Sequence, residues 1–222
     1  HTRCQGVSGV QTCALPISYT VRGIATYSVC IDTVSLHPSA LPLQSPYYPH
    51  IDYPIPSISS NRTFTALSLT NPHITSIVPE VDTEELKDVG GKANNTPHIF
   101  HEGVNLTYCQ VKGRTSIYTG TYERGAGITA SCGTGMSAAT LGCCLNDKVP
   151  FGEWIDVYNS GGMVRCKGTQ DSAGRLQVYL LGNATYTDRY VVAAEQNGEY
   201  RVEEHLRLEE EISAYEALKA SF

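Results

Sequence analysis

One cysteine in this chain stands where chemistry is feasible. Cys132 lies in Thr129-Ala130-Ser131-Cys132-Gly133-Thr134-Gly135, on a glycine-rich turn between an alternating run (116–122) and a small, apolar run (136–145). The first run reads as a strand and the second as a buried helix. Glycine lets backbone N–H groups approach a ligand closely. Free amides at a helix start favour an anion such as an α-carboxylate. The same field is expected to lower the thiol's pKa and raise its thiolate fraction. Glu123 and Arg124 stand eight or nine residues upstream, close enough to fold over the same loop. Against this stands the usual fate of a free cysteine, a small buried hydrophobe.

Elements that must position Cys132 can be read on either side of it. Thr63 to Leu69 alternates as a strand and ends at Asn71-Pro72-His73, a tight-turn signal, before Ile74 to Val78 resumes. Asp82 is an N-cap for a short helix with Glu84 and Glu85 in its first turn and Gly90-Gly91 after its end. Gly103-Val104-Asn105 leads into a strand at Leu106 to Val111. By itself Asn71 only shapes a turn, His73 is a surface residue and Asn105 is a turn asparagine. His98 and His101 lack carboxylate partners at metal-ligand spacing, and no C-x-x-C occurs.

The stretch from Glu123 to Gly135 resembles the second active-site segment of the diaminopimelate epimerases, Glu-Arg-Gly-x-Gly-x-Thr-x-Ala-Cys-Gly-Thr/Ser-Gly. Glu123-Arg124-Gly125, Gly127, Thr129 and Cys132-Gly133-Thr134-Gly135 match; Ile128 and Ser131 depart. The resemblance implies a cofactor-independent isomerase taking LL-2,6-diaminopimelate to the meso form, a step toward lysine and peptidoglycan precursors. Two cysteines, one thiolate and one thiol, move the Cα proton from one face to the other. It assigns Cys132 as one of them, with Glu123 and His73 tuning the thiols. Asn71, Asn105, Glu123, Arg124, Gly133 and Thr134 then bind substrate: Arg124 a carboxylate, Glu123 an ammonium, and the Gly133 and Thr134 amides the α-carboxylate. No metal or cofactor is implied, and dimers are common in the family.

The family carries its other cysteine in a Cys-Gly-Asn-Gly segment that these 222 residues do not contain. The chain is therefore expected to be an incomplete epimerase that does not turn over alone. Other readings are a proline racemase or hydroxyproline epimerase relative, a phenazine-biosynthesis relative, and a non-catalytic module binding amino acids or a protein.

Composition narrows the class. At 41% hydrophobic and 17% charged the chain is globular, and a net charge of −6 offers no electrostatic case for nucleic acid. No apolar run approaches a membrane span. Eight cysteines and four sequons (Asn61, Asn94, Asn105, Asn183) would suit a secreted protein, but the cysteine spacing shows no framework. Reduced thiols in a cytoplasmic setting fit better.

The fold expected from the resemblance is α+β, a mixed β-barrel wrapped around a central helix, one complete copy with the other truncated. Residues 1–18 resemble a translated sequencing adapter, with no role for Cys4 or Cys13. Residues 19–58 are a remnant of the first domain, with a strand from Tyr19 to Val34 and a proline-rich linker. Residues 59–190 are the second domain, including a hairpin over Asn159-Ser160-Gly161-Gly162 and a strand from Arg175 to Leu181. Residues 191–222 are a tail with a charged helix from Glu203 to Lys219.

Overall fold

The computed structural model describes residues 17–21, 24–41, 43–195 and 198–220. Of the adapter-like segment 1–18, residues 1–16, with Cys4 and Cys13, lie outside the described residues, while Ile17 and Ser18 belong to the first strand. The chain opens with β1 (Ile17–Val21), β2 (Ile24–Ile31), β3 (Val34–Ser35) and β4 (Tyr53–Pro54). Then come β5 (Thr63–Leu69), β6 (Pro72–Ile77), α1 (Thr83–Asn94), β7 (Asn105–Gly113), β8 (Ser116–Glu123) and β9 (Gly127–Thr129). Helix α2 (Gly133–Leu145) follows, then β10 (Ile155–Asn159), β11 (Gly162–Gln170), β12 (Leu176–Asn183), β13 (Asp188–Ala194), β14 (Tyr200–Arg207) and α3 (Glu209–Lys219).

Among the described residues, twelve strands form one mixed sheet in the order β1-β2-β12-β11-β10-β8-β7-β6-β5-β3, with β4 on β5 and β9 on β8. The pairs β6–β7 and β8–β10 are parallel. β2 bonds β12 at one end of the path and β3 bonds β5 at the other, with only Asp32 and Thr33 between β2 and β3. One strap of chain thus draws both ends together and nearly closes a barrel. Tyr19 to Val34 is not one strand but β1, β2 and the start of β3. Ile31, Leu67, Leu69, Cys109, Ile117, Val157, Cys166 and Val178 turn inward onto α2.

Every α2 residue from Gly135 to Cys144 is buried, so the helix is apolar or small all round, as a central helix must be. A Cβ on Gly142 would come within 2.2 Å of Thr75 Oγ1, and one on Gly135 within 2.8 Å of Thr121 Oγ1. Glycine at these points lets the helix lie directly on the sheet. At its far end Asn146 donates to Gly142 O (2.7 Å) and to Thr65 Oγ1 (2.9 Å), tying the C-cap to β5. This mixed sheet around a central helix is the α+β architecture that the resemblance implied.

A second core lies under α1. Leu86, Val89 and Ala93 pack with Phe64, Ile74, Leu106 and Tyr108, and also with Leu41, Leu43, Ile55 and Ile58. The proline-rich stretch expected as a linker therefore carries buried anchors. Asp82 caps α1 as expected, accepting from Glu84 N (2.8 Å) and Glu85 N (3.1 Å). The helix does not stop at Gly90-Gly91. It runs through both to Asn94, because Gly90 is where α1 touches β8: a Cβ there would sit 2.4 Å from Tyr122 Cγ.

The charged helix is also shorter than expected. Residues 200–207 are β14, paired antiparallel with β13 in a separate two-stranded sheet, and only 209–219 are helical. Leu206, inside the span expected to be helical, lies in that strand. Val191, Val192 and Val202 are β-branched residues, a type that suits the strands of this hairpin.

Candidate active site

Backbone register gathers the candidate residues. His73 is the Cα partner of Asn105 across the parallel β6–β7 pair, and Leu106 faces Tyr122 across β7–β8. Glu123 and Arg124 follow Tyr122 into a tight turn, where Gly125 and Gly127 hold positive φ (81° and 78°). The chain returns as β9, with Thr129 opposite Thr121, and reaches Cys132. The sequence spacing of Glu123 and Cys132 is thus a hairpin that folds one over the other.

Cys132 is the N-cap of α2 and is 7% exposed. Its Sγ accepts from Gly135 N (3.4 Å) and lies 3.7 Å from Thr134 Oγ1. Met136 N donates to the Cys132 carbonyl. Gly133 and Thr134 hold the first-turn amides that these two bonds leave unused. The expectation of a depressed thiol pKa is corrected here. Burial raises it, and the Glu123 carboxylate raises it further, against the lowering effect of the Gly135 N–H and the Thr134 hydroxyl. The resting sulfur is a thiol, because desolvation penalises the anion more than one helix end supports it.

Glu123 Oε1 accepts from Thr129 Oγ1 at 2.6 Å. Asn105 is buried, and its Oδ1 accepts from Arg124 N at 2.9 Å, so this side chain shapes the turn that carries the arginine. Arg124 is exposed; its Nη1 donates to Glu102 O at 3.0 Å. His73 is fully buried, not a surface residue. Its Nε2 meets Asn71 Oδ1 at 3.1 Å, and Nδ1 is buried with no partner. Burial, then Arg124, pushes its pKa down to about 3. The ring is neutral, and with Nε2 donating to the amide oxygen, Nδ1 keeps its lone pair.

The Asn71-Pro72-His73 turn is tighter than its sequence suggests. Thr70 takes positive φ (82°), and Pro72 and His73 already belong to β6. Thr129 is a motif residue whose contact with Glu123 no spacing argument revealed. Among the described residues, no three His, Cys, Asp or Glu side chains gather so as to hold a metal ion. No described helix is long and apolar enough to cross a membrane.

The diaminopimelate epimerase family model matches residues 65–187, which takes in all these residues. The chain belongs to the diaminopimelate epimerase family. It is 42% identical over 132 residues to the diaminopimelate epimerase of Clostridium acetobutylicum, covering 60% of this chain and 40% of that one. To the diaminopimelate epimerase of Enterococcus faecalis it is 35% identical over 166 residues, covering 74% and 51%. The chain spans about half the length of the curated relatives it matches. Among solved structures, a Bacillus anthracis phenazine biosynthesis protein of the PhzF family superposes with a TM-score of 0.52 at 9% identity. That match covers 86% of this chain and 63% of the other, a likeness of fold alone. The matched residues include the hairpin that folds Glu123 over Cys132.

Proposed function

We propose that this chain supplies one half-site of a cofactor-independent epimerase acting on LL-2,6-diaminopimelate. Residues 59–190, with the β2–β3 strap, are the unit that carries it. One observation bears most of the weight: a buried thiol at a helix N-terminus, with a carboxylate facing it from a neighbouring hairpin. Reduced thiols in a cytosol suit this reading.

Inverting a Cα centre needs a base on one face and an acid on the other. A thiol held protonated by burial is poised as the acid. When it gives its proton to the Cα carbanion, the S–H electron pair stays on sulfur. The Gly135 N–H and the α2 dipole then support the thiolate. The Gly133 and Thr134 amides hold the α-carboxylate and stabilise charge that spreads onto it. Arg124 offers a fork to a substrate carboxylate, and Asn71 and Asn105 shape the pocket beside neutral His73. The reverse direction uses the same atoms.

The opposing base is a second thiol from outside the segments described here. Cys109, Cys143, Cys144 and Cys166 are buried in the core around α2. Cys30 pairs with Tyr179 across β2–β12. These residues alone therefore bind without turning over.

The test is solvent deuterium incorporation at Cα of LL-diaminopimelate, followed by NMR, with this chain and with Cys132→Ala. Alkylation of Cys132 in the presence of LL-diaminopimelate, lysine or proline runs beside it. The expected result is protection of Cys132 by diaminopimelate and no exchange. Exchange by the chain alone overturns the half-site proposal. Equal protection by proline, or none by diaminopimelate, overturns the substrate.

A further inference from the structure

Glu123 and Thr129 sit on the two strands of one tight hairpin, with Tyr122 opposite Ile128 between them. Ile128 is exposed and Thr129 half-buried, so the alternation of β9 turns the threonine toward the site. Its hydroxyl donates to Glu123 Oε1 at 2.6 Å. Threonine is stiff about χ1, so a bond from it fixes a carboxylate that would otherwise rotate freely. Three residues beyond β9 the chain reaches Cys132 at the start of α2, and the Glu123 carboxylate is the charge that acts on its thiol.

We propose that Thr129 is the positioning residue of this site: its hydroxyl holds the Glu123 carboxylate against the Cys132 thiol. This rests on reading Cys132 as an acid/base group. Thr129 itself touches neither substrate nor sulfur. It acts by setting where a negative charge stands.

The surroundings of Cys132 isolate that effect. Glu123 is the charged group that acts on the thiol, from β8. α2 contributes the Gly135 N–H and the Thr134 hydroxyl. β12 presents Leu180, within 3.3 Å of a Cβ built on Gly133. On β6, His73 is neutral, and Arg124 acts on it. With Thr129 gone, the carboxylate is free to turn to solvent, and the thiol keeps the upward push of burial but loses the part that Glu123 adds.

The experiment is the pH profile of Cys132 alkylation by iodoacetamide in the full 222-residue chain, localised by peptide mass spectrometry. Thr129→Val, Thr129→Ser, Glu123→Gln and the Thr129→Val/Glu123→Gln double variant are compared. Thr129→Val should lower the midpoint by about half a pH unit, roughly threefold faster modification below it. Thr129→Ser, which keeps the donor, should retain the parent midpoint. Glu123→Gln should lower it at least as far, and adding Thr129→Val to it should change nothing more. An unchanged midpoint in Thr129→Val overturns the proposal, as does a shift that persists in the Glu123→Gln background. Cys109, Cys143, Cys144 and Cys166, all buried, report folding in the same sample by staying unmodified. Should valine unfold the hairpin by that control, Thr129→Ala carries the same comparison. No substrate enters the titration, so absence of diaminopimelate binding would sink the epimerase reading and leave this result standing.

Discussion

Adjacent glycines in α1 should answer alanine with opposite signs. Helix interiors favour alanine over glycine by about 1 kcal/mol, and both Gly90 and Gly91 lie well inside α1. At Gly91 an added Cβ meets nothing within 4 Å, so Gly91→Ala should keep roughly 0.5–1 kcal/mol of that gain. At Gly90 the Cβ would lie 2.4 Å from Tyr122 Cγ and 2.7 Å from Tyr122 Cβ. These atoms form the root of the side chain and cannot swing aside while β8 stays paired. Helix and sheet must separate, the kind of overpacking that costs about 1–3 kcal/mol. Contacts this short belong at the upper end, so Gly90→Ala should be destabilised by about 1–2 kcal/mol after the propensity gain. The two variants should differ by about 2–3 kcal/mol, roughly 5–10 °C in Tm for a chain of this size. Urea unfolding with matched m-values measures the difference directly. Equal stabilities would refute the reasoning and mean that α1 does not lie against Tyr122 at Gly90. Both variants neutral would mean that the helix ends before the glycine pair.

Three further outcomes follow from groups already placed. Burial pushes Cys144 and Cys166 up to about 12 from 9.0, so the unfolded chain releases these protons first. Stability should be fully present below pH 9 and fall between 9 and about 12; Cys166→Ala should flatten that limb, and an unchanged slope would count against it. His73 is held down to about 3 from 6.5, so on acidification the unfolded chain takes up its proton first. Its contribution is therefore present above pH 6.5 and drains away toward pH 3. The loss between pH 7 and 5 should shrink in His73→Gln, which denaturation midpoints at the two values will report. Arg62 grips Glu85 through two bonds of 2.7 and 2.6 Å, with both side chains under a quarter exposed, and ties β5 to α1. Arg62→Ala should cost about 1–2 kcal/mol, with a coupling near 1 kcal/mol in a cycle with Glu85→Ala; zero coupling would remove the pair from the account.

Where the sequence could be read, local chemistry and packing agree. β5 matches its alternating run from Thr63 to Leu69, and Cys132 opens α2 because the glycines before it suit a turn. Misreadings arise where one residue type serves two purposes. Gly90-Gly91 signals a helix stop, but glycine also permits close approach, and only the position of Tyr122 decides between them. Glu203, Glu204, Leu206 and Arg207 read as part of a charged helix, yet strand β13 offers them a partner. A distant segment can override local preference. The thiol at Cys132 shows a third kind of failure. Helix ends and charges can be read from spacing, whereas desolvation depends on everything packed around the sulfur and reverses the sign. The contact of Thr129 with Glu123 was hidden for the same reason, since it exists only once the hairpin register is set.

The strap that closes the barrel also has a consequence in time. β2 leaves the ribosome long before its partner β12, because β3 to β11 lie between them in the chain. Until β12 emerges, β2 and β11 each lack their β12 neighbour, while β5 and β6 can already pair. Contacts between such distant segments carry the loop-closure entropy that slows folding. The seam between β2 and β12 should thus be the last part of the sheet to gain protection from hydrogen exchange during refolding. It is where a stalled chain would present open strand edges to its neighbours.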